Sequence, residues 1–238
     1  MTSTEQLRVL PETDGYGYDD LPRLIALMTG DEKHSFAANS TLDVLWVLYD
    51  AVLDVSPARM HDQDRDRFYL SKGHGPMAYY AVLVAKGFFR EDWLADWTSY
   101  TSRLGQHPDR NLVPGVEISS GSLGHGLPLG VGTALGLRAQ GVESRVVVLV
   151  GDAELDEGSN HEAIELAGAL GLDRLTVVVV DNRSSTYNRP GQIEGRFANE
   201  GWHTAVVDGR DHPALERALE LDTPGRPNVV IAQVEEKY

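Results

Sequence analysis

The sequence contains no cysteine, and this absence limits the chemistry open to it. None of the 238 residues is Cys, so the chain forms no disulfide and no zinc site built on thiolates. It also lacks a run of about 18 apolar residues, the length that crosses a bilayer, and we expect no membrane partner. The first residues, MTSTEQLRVL, lack the basic start and apolar core of a secretory signal. Together these absences favour a cytoplasmic protein.

Positive charge is scarce in this chain. Lys and Arg number 21 against 36 Asp and Glu, which gives a formal charge of −15. Binding to a nucleic-acid backbone needs a basic surface, so nucleic acid is not an expected partner. An acidic chain can still bind a phosphorylated cofactor when a divalent metal ion supplies the positive charge.

The composition predicts one folded domain after a short polar lead-in. Apolar residues make up 42% of the chain, which is enough for a core, and the length favours a single large domain. Residues 1–19 are polar and include Gly15 and Gly17, which predicts a flexible N-terminal lead-in. We therefore assign residues 20–238 to the domain.

Apolar runs alternate with helical patterns in the second half of the chain. The runs typical of buried strands are residues 145–152, 175–182, 203–207 and 228–234. Helical periodicity is found between them at 159–172 and 212–221, and a Gly-rich turn opens another helix within 121–141. Strands that are apolar on both faces predict an α/β fold, a three-layer parallel sheet with helices on both faces.

The first half of the chain is predicted to be mainly helical. Helical patterns begin at Leu21, cover residues 42–53 and follow the Gly-His-Gly turn at 73–75. Residues 91–114 have a mixed pattern, and we expect them to form a structured loop over the functional site.

Polar side chains follow two consecutive predicted strands. Asp152 comes directly after the first, and Asn182 follows the second, 30 residues later. Because the crossover between parallel strands is right-handed, both side chains are expected at one edge of the sheet. Carboxylate and amide oxygens suit Mg²⁺ or Ca²⁺. A lone Gly-Asp is more often a turn, but the paired spacing downstream of a Gly-rich turn favours a metal site.

Several segments resemble one enzyme family. The stretch GDAELDEGSNHEAIELAGALGLDRLTVVVVDN is similar to the thiamine diphosphate motif, which begins Gly-Asp-Gly and ends with Asn about 30 residues later. The segments SKGHGPMAYY, GQHPDR, GSLGHG, EGSNHEA and GWHTAVVDGRD resemble transketolases, in the family's order and spacing. The resemblance covers residues 21–234, which correspond to the diphosphate-binding domain, the first of three domains in a full-length transketolase.

The resemblance implies a role for each matching residue in binding thiamine diphosphate and a metal ion. Asp152 and Asn182 match the side-chain ligands of Mg²⁺, and Ser184 matches the residue whose backbone carbonyl is a third ligand. His74 and the amide of Ala153 match groups on the cofactor diphosphate. The loop that reaches the aminopyrimidine side of the cofactor is matched by Gly121, Ser122 and Leu123.

The resemblance also implies catalytic histidines. His34 matches a histidine that faces substrate hydroxyls, His107 matches one near the reacting centre, and His74 completes the set. A lone histidine is more often structural. The motif context favours a functional role for His74 and His107, and it leaves the two interpretations of His34 balanced. Nothing in the spacing of these histidines favours a zinc site.

The sequence departs from the family pattern at several positions. Ala153 replaces the usual glycine, which a backbone with negative φ would tolerate. His125 replaces a glutamine, and the residues after His34 are Ser-Phe-Ala-Ala in place of a turn with Gly and Pro. Glu157 and Glu162 match two acids near a subunit interface, although acids in a first helical turn are also favoured by the helix dipole.

The family's pyrimidine-binding domain, which supplies the glutamate that activates the cofactor, has no counterpart in this chain. The resemblance therefore implies the N-terminal subunit of a split transketolase-like enzyme. It would work with a C-terminal subunit, as an α2β2 assembly, and transfer a two-carbon ketol unit from a sugar-phosphate donor. One alternative keeps the cofactor and delivers the unit to a lipoyl group or carrier-protein thiol. A second alternative is a non-catalytic scaffold. A third is the α chain of a 2-oxoacid dehydrogenase, and the segments around His74 and His107 disfavour this third alternative.

Overall fold

The computed structural model describes residues 15–29, 32–187 and 189–236, without the side chains of 32–38. The α-helices are α1 (Leu21–Ala26), α2 (Glu32–Val47), α3 (Pro76–Ala85), α4 (Gly126–Gln140), α5 (Gly158–Ala169), α6 (Gln192–Asn199) and α7 (His212–Leu219). The strands are β1 (Arg67–Leu70), β2 (Val146–Gly151), β3 (Leu175–Asp181), β4 (His203–Asp208) and β5 (Asn228–Gln233). These elements include every strand and helix that the sequence predicts.

The strands form one parallel sheet in the order β1-β2-β3-β5-β4. All six residues of β2 are buried, because helices cover both faces of the sheet centre. On the edge strand β4 only Val206 and Asp208 are exposed and the other residues are half-buried. The predicted fold class, a three-layer parallel sheet with helices on both faces, is confirmed.

Alternate strand residues face two separate hydrophobic layers. Val147 and Leu149 of β2 pack in one layer with side chains of α1, α2, α3 and α7. Val146 and Val148 pack in the other layer with α4, α5 and α6. Since successive side chains of a strand point to opposite faces, a strand buried on both faces is apolar along most of its length, and Thr176 of β3 is an exception. This explains the unbroken apolar runs of the sequence.

Two elements were not predicted from the sequence. Strand β1 has four residues and directly follows the charged segment HDQDRDR, so its apolar pattern is too short to stand out. Helix α6 has eight residues, of which only Ile193 and Phe197 are buried. Both elements owe their stability to the neighbours they pack against, which a local pattern does not contain.

Only part of the segment 91–114 lies near the functional site, although we expected the whole segment to form a loop over it. It begins with a 3₁₀ helix at Glu91–Asp96 that packs on α1 and α3. Arg23 of α1 forms an ion pair with Glu91 at 2.8 Å. His107, by contrast, lies against Gly121. One part of the segment therefore supports the helical layer, and another reaches the Gly-rich turn.

The predicted lead-in is described only in part, since residues 1–14 lie outside the described residues. A 3₁₀ helix covers Tyr18–Asp20, and the Tyr18 hydroxyl donates a hydrogen bond of 2.6 Å to Asp43 in α2. Within the described part of the chain, no helix combines the length and the apolar character that a membrane crossing requires.

Candidate functional site

The carboxyl ends of β1, β2 and β3 meet at one edge of the sheet. Leu70 of β1 pairs with Leu149 of β2, and Gly151 of β2 pairs with Val180 of β3. The residues that follow these strands therefore share this edge. They include the Gly-His-Gly turn, Asp152 and Asn182, which is the arrangement that the strand spacing predicted.

Asp152 is buried at this edge, and both of its carboxylate oxygens accept hydrogen bonds. Asp152 is only 1% exposed. The Ser184 hydroxyl donates to Oδ1 at 2.6 Å, and the backbone N–H of Ser185 donates to Oδ2 at 2.9 Å. The loop after β3 is thus folded onto Asp152, and it places Ser184 beside the carboxylate it was predicted to join in a metal site.

Asn182 has a buried oxygen whose bonding is incomplete. The residue is 4% exposed, and its Oδ1 accepts no hydrogen bond from any described residue. An unsatisfied buried oxygen costs about 1–3 kcal/mol, a cost that a bound cation would remove. An amide oxygen and a carboxylate are hard ligands of the kind that Mg²⁺ and Ca²⁺ prefer. The residues present therefore fit a divalent metal ion.

The predicted ligand set needs only one carboxylate. Among the residues that the structure describes, no three His, Cys, Asp or Glu side chains form a cluster able to hold a metal. The predicted site has one carboxylate, one amide oxygen and one backbone carbonyl. Only one of these ligands is a His, Cys, Asp or Glu side chain, so no cluster of three is expected. Magnesium commonly completes such a partial set with phosphate oxygens and water.

The backbone of the loop after β3 is strained next to Asn182. Arg183 has φ = 55°, a left-handed conformation that costs a non-glycine residue free energy. Its N–H donates to Oδ1 of Asp181 at 3.2 Å. Burial raises the pKa of Asp181, and the negative charge of Asp152 acts in the same direction. Asp181 at the end of β3 therefore feels the negative charge of Asp152, while the positive charge of Arg183 acts in the opposite direction.

The turn after β1 is held against the end of β2 by Lys72. This lysine is only 7% exposed, and its Nζ donates a hydrogen bond of 2.6 Å to the backbone carbonyl of His74. Its side-chain carbons lie so close to Gly151 that a Cβ there would be 3.3 Å from Cγ of Lys72. The side chain of His74 itself is exposed, and is therefore accessible to a ligand.

His107 and Gly121 are in direct contact. Gly121 has φ = +112°, and a Cβ at this position would lie 2.6 Å from Cγ of His107. Only glycine accommodates both the backbone angle and the imidazole ring. Ser122 and Leu123 follow and are exposed, and Leu123 also contacts the Gly-His-Gly turn at Gly73. The structure thus brings His107, the glycine-rich loop (residues 121–126) and the turn after β1 together.

Sequence reasoning did not identify Glu154, a buried carboxylate that accepts hydrogen bonds from three separate segments of the site. It is 2% exposed and accepts hydrogen bonds from the Ser71 hydroxyl and from the backbone N–H groups of Gly124 and Gly151. Burial raises the pKa of Glu154, whereas these hydrogen bonds and the charge of Lys72 act in the opposite direction. Glu154 lies in the run Glu154-Leu155-Asp156-Glu157, in which Asp156 and Glu157 are exposed. The sequence alone does not distinguish the one buried acid from its exposed neighbours.

Ala153 occupies a backbone that tolerates it. It begins the 3₁₀ helix Ala153–Asp156, and the described non-glycine residues with positive φ are Thr98 and Arg183. Its methyl group therefore causes no backbone strain. The side chain of His125, at the start of α4, is exposed, as are those of Glu157 and Glu162. The side chain of His34 lies outside the described part of the structure.

A cavity of about 480 Å³ adjoins the metal-site candidate. Asn182 is in its lining, together with Ser40 of α2, Arg210 and Glu235. Arg210 is held in place by ion pairs with Asp43 and Glu235. The space next to Asn182 is therefore open and has charged side chains in its lining.

Comparison with known sequences identifies relatives over nearly the whole chain. Residues 26–234 match the family described as transketolase, thiamine diphosphate binding domain. A Rhodococcoides fascians protein named ferredoxin fas2 is 54% identical over 97% of this chain and 76% of its own length. A protein of Actinobacillus succinogenes, named as one subunit of apulose-4-phosphate transketolase, is 35% identical over 84% of this chain and 75% of its own length.

This chain matches full-length transketolases over only about a third of their length. Transketolase 1 of Aliivibrio fischeri is 35% identical over 83% of this chain, which corresponds to 32% of that protein. The solved transketolase of Leishmania mexicana superposes with a TM-score of 0.75 and 27% identity, over 92% of this chain and 37% of that one. A Pichia stipitis transketolase superposes with a TM-score of 0.77 at 24% identity, which supports the fold alone.

The name of the Rhodococcoides relative does not transfer to this chain. An iron–sulfur cluster is held by cysteine thiolates, and this chain has no cysteine. Residues 26–234 instead match a thiamine diphosphate-binding domain. The chain belongs to the transketolase family, and it represents that family's thiamine diphosphate-binding domain.

Proposed function

We propose that this chain is the diphosphate-side subunit of a two-chain, thiamine diphosphate- and Mg²⁺-dependent transketolase-like enzyme. The observation that carries the proposal is the buried Oδ1 of Asn182, left without a hydrogen-bond donor among the described residues, beside Asp152 at the carboxyl edge of the sheet. A hard cation held by Asn182 and Asp152 would satisfy this oxygen. The wider family supplies the identity of the cofactor.

Each residue of the site has a distinct role in this proposal. Asp152 and Asn182 would hold the ion through their side chains, and Ser184 through its backbone carbonyl. His74, exposed at the turn after β1, would donate a hydrogen bond to the diphosphate. The amide of Ala153 would do the same at the start of its 3₁₀ helix. When bound, thiamine diphosphate supplies a thiazolium carbon that accepts the two-carbon unit and holds its electrons.

The glycine-rich loop and the histidines would serve the other half of the cofactor and the substrate. The backbone of Gly121, Ser122 and Leu123 would contact the aminopyrimidine side. His107, packed on Gly121, would move a proton on a substrate hydroxyl. We propose the same kind of role for His34. The donor would be a ketose phosphate and the acceptor an aldose phosphate.

A partner chain completes this proposal. Four leucines are 40–50% exposed: Leu123, Leu129 on α4, Leu166 on α5, and Leu170 directly after α5. Exposed leucines on neighbouring elements favour a docking surface. The Actinobacillus relative is named as one subunit of its enzyme. We propose that the partner supplies the carboxylate opposite the aminopyrimidine, and that two copies of each chain assemble about a two-fold axis.

The test is reconstitution with the protein that copurifies with this chain. Mixed with thiamine diphosphate, Mg²⁺ and a ketose phosphate, the two chains should transfer two carbons to an aldose phosphate, as seen by mass spectrometry. Transfer to a lipoyl group or a carrier-protein thiol instead would keep the cofactor chemistry and replace the acceptor. If the reconstituted pair fails to bind thiamine diphosphate with or without Mg²⁺, this chain is a non-catalytic scaffold and the proposal is wrong.

A further inference from the structure

Glu154 lies at the centre of a buried group of polar contacts, which we call the loop-anchoring cluster (Ser71, Gly124, Gly126, Gly151 and Glu154). Oε1 of Glu154 accepts from the Ser71 hydroxyl and from the N–H of Gly124 at 3.0 Å, and Oε2 accepts from the N–H of Gly151 at 3.2 Å. One carboxylate therefore joins the end of β1, the glycine-rich loop and the end of β2.

Ser71 extends the loop-anchoring cluster to the start of α4. While its hydroxyl donates to Glu154, it accepts a hydrogen bond of 3.0 Å from the N–H of Gly126. The approach is so close that a Cβ at Gly126 would lie 2.3 Å from Cβ of Ser71. Ser71 is 1% exposed, so water does not compete for these bonds.

The loop is also held from its other side. The Ser159 hydroxyl donates to the carbonyl of Gly124 at 2.7 Å, and Nδ2 of Asn160 donates to the carbonyl of Glu154 at 2.7 Å. Both the N–H and the C=O of Gly124 are thus bonded. A residue held through both of its backbone polar groups has little freedom to rotate, and this fixes where the preceding residues of the loop lie.

Glu154 lies two residues after Asp152 of the metal-site candidate. It belongs to the 3₁₀ helix Ala153–Asp156, which begins directly after Asp152. The N–H of Leu155 donates to the carbonyl of Asp152 at 3.2 Å, which closes this turn. The carboxylate of Glu154 and that of Asp152 are therefore carried by one rigid turn, so the loop position is set relative to Asp152.

We propose that Glu154 and Ser71 are positioning residues that hold the glycine-rich loop in register with Asp152, and so align the two halves of the cofactor site. This inference rests on the proposed function. Neither side chain needs to touch the cofactor. Their effect is to keep the backbone of residues 121–123 where the organic half of thiamine diphosphate lies once its diphosphate is held at Asp152 and Asn182.

Two ligands separate this role from the metal site. Inorganic pyrophosphate with Mg²⁺ probes only the Asp152 side, whereas thiamine diphosphate with Mg²⁺ also uses the loop. The titrations use the complex of this chain with its copurifying partner. In calorimetry, Ser71→Ala should weaken thiamine diphosphate binding by at least about tenfold, an effect of about 1.4 kcal/mol, and leave pyrophosphate affinity unchanged. Glu154→Gln keeps one acceptor oxygen and should fall between wild type and Glu154→Ala.

Ser144→Ala is the matched control. Ser144 is 7% exposed and donates one hydrogen bond of 2.6 Å to the carbonyl of Asp64, just before β2 at the opposite edge of the sheet. It should lower the melting temperature as Ser71→Ala does, and leave both affinities unchanged. If Glu154→Ala fails to fold, Ser71→Ala decides the question.

Three results would overturn the inference. In the first, Ser71→Ala weakens both ligands equally, so the cluster only stabilises the fold. In the second, Ser71→Ala has no effect on thiamine diphosphate. In the third, the wild-type complex binds both ligands equally well, so the loop contributes nothing. A wild-type complex that binds neither ligand would instead contradict the proposed function itself.

Discussion

The hydroxyl of Ser184 donates a hydrogen bond of 2.6 Å to Oδ1 of Asp152. A carboxylate oxygen that already accepts this bond keeps further lone pairs, so it can still bind a metal ion. The bond joins the loop after β3 to the end of β2. Ser184 therefore has two roles that can be tested separately. Its hydroxyl bonds to Asp152, and its backbone carbonyl is the proposed metal ligand.

We expect Ser184→Ala to affect stability more than metal binding. Loss of the bond to Asp152 should lower the free energy of unfolding by about 1–2 kcal/mol. Mg²⁺-dependent binding of thiamine diphosphate should persist, because alanine keeps the backbone carbonyl. Urea denaturation and calorimetry on the same variant measure the two effects. Loss of Mg²⁺ dependence with unchanged stability would contradict this division of roles.

Asp152→Ala and Asn182→Ala should each abolish Mg²⁺-dependent retention of thiamine diphosphate while the chain stays folded. Asn182→Ala removes a buried oxygen that has no described partner, so it should cost little stability. Retention after gel filtration, with and without Mg²⁺, measures the binding. Asn199→Ala, on the exposed surface of α6, is the control. A folded Asn182→Ala variant that retains the cofactor like wild type would remove Asn182 from the metal site.

Gly121→Ala should damage both stability and cofactor binding. The added methyl meets His107 at a positive φ, and a backbone strained in this way costs about 1–3 kcal/mol. Gly195→Ala is the control, because a Cβ there meets nothing within 4 Å on α6, and it should stabilise the helix by up to about 1 kcal/mol. Equal melting temperatures for the two variants would show that the His107 contact does not constrain the loop.

His74→Ala and His107→Ala should separate cofactor binding from turnover in the assembled enzyme. Both side chains are exposed, so neither variant should change the melting temperature much. His74→Ala should weaken thiamine diphosphate binding without changing which acceptors are used. His107→Ala should act mainly on kcat. Steady-state kinetics at varied cofactor concentration distinguishes them, and two kinetically silent variants would exclude both histidines from the site.

Asp43→Asn should destabilise the fold in a pH-dependent way. Burial acts to raise the pKa of Asp43, but hydrogen bonds from Tyr18, His212 and Arg210, with the charge of Arg210, hold it below its ordinary value. Its contribution is therefore complete at neutral pH and is lost as pH falls through the lowered pKa. At pH 7 the loss should be about 1–3 kcal/mol, as for hydrogen bonds to a charged group, because Arg210 is partly exposed and keeps its ion pair with Glu235.

Denaturant unfolding at a series of pH values measures this difference. The gap between wild type and Asp43→Asn should shrink as the pH falls below the ordinary range of a carboxyl group. Asp222→Asn, at an exposed position, is the control and should leave stability unchanged at every pH. A gap that stays constant down to strongly acidic pH would show that the charge of Asp43 contributes nothing.

The sequence was sufficient to predict the sheet centre and the place of Asp152 and Asn182. Strands β2, β3 and β5 are buried on both faces, so they appear as unbroken apolar runs whatever the surrounding fold. The residue after such a run lies at the sheet edge, and right-handed crossovers bring the ends of consecutive strands to the same edge. Glu154 could not be found this way, because its burial depends on Ser71 and Gly124, which are distant along the chain.

The sequence by itself determined the fold class, the family and the positions of the residues at the strand ends, because these depend on local periodicity and on ordered motifs. Only the tertiary structure decided that Asn182 has a buried oxygen without a described donor, that His107 packs on Gly121, and that Glu154 joins three segments of the site. The physical reason is that hydrogen bonding and exclusion of water depend on which distant segments meet. No pattern within one segment contains that information.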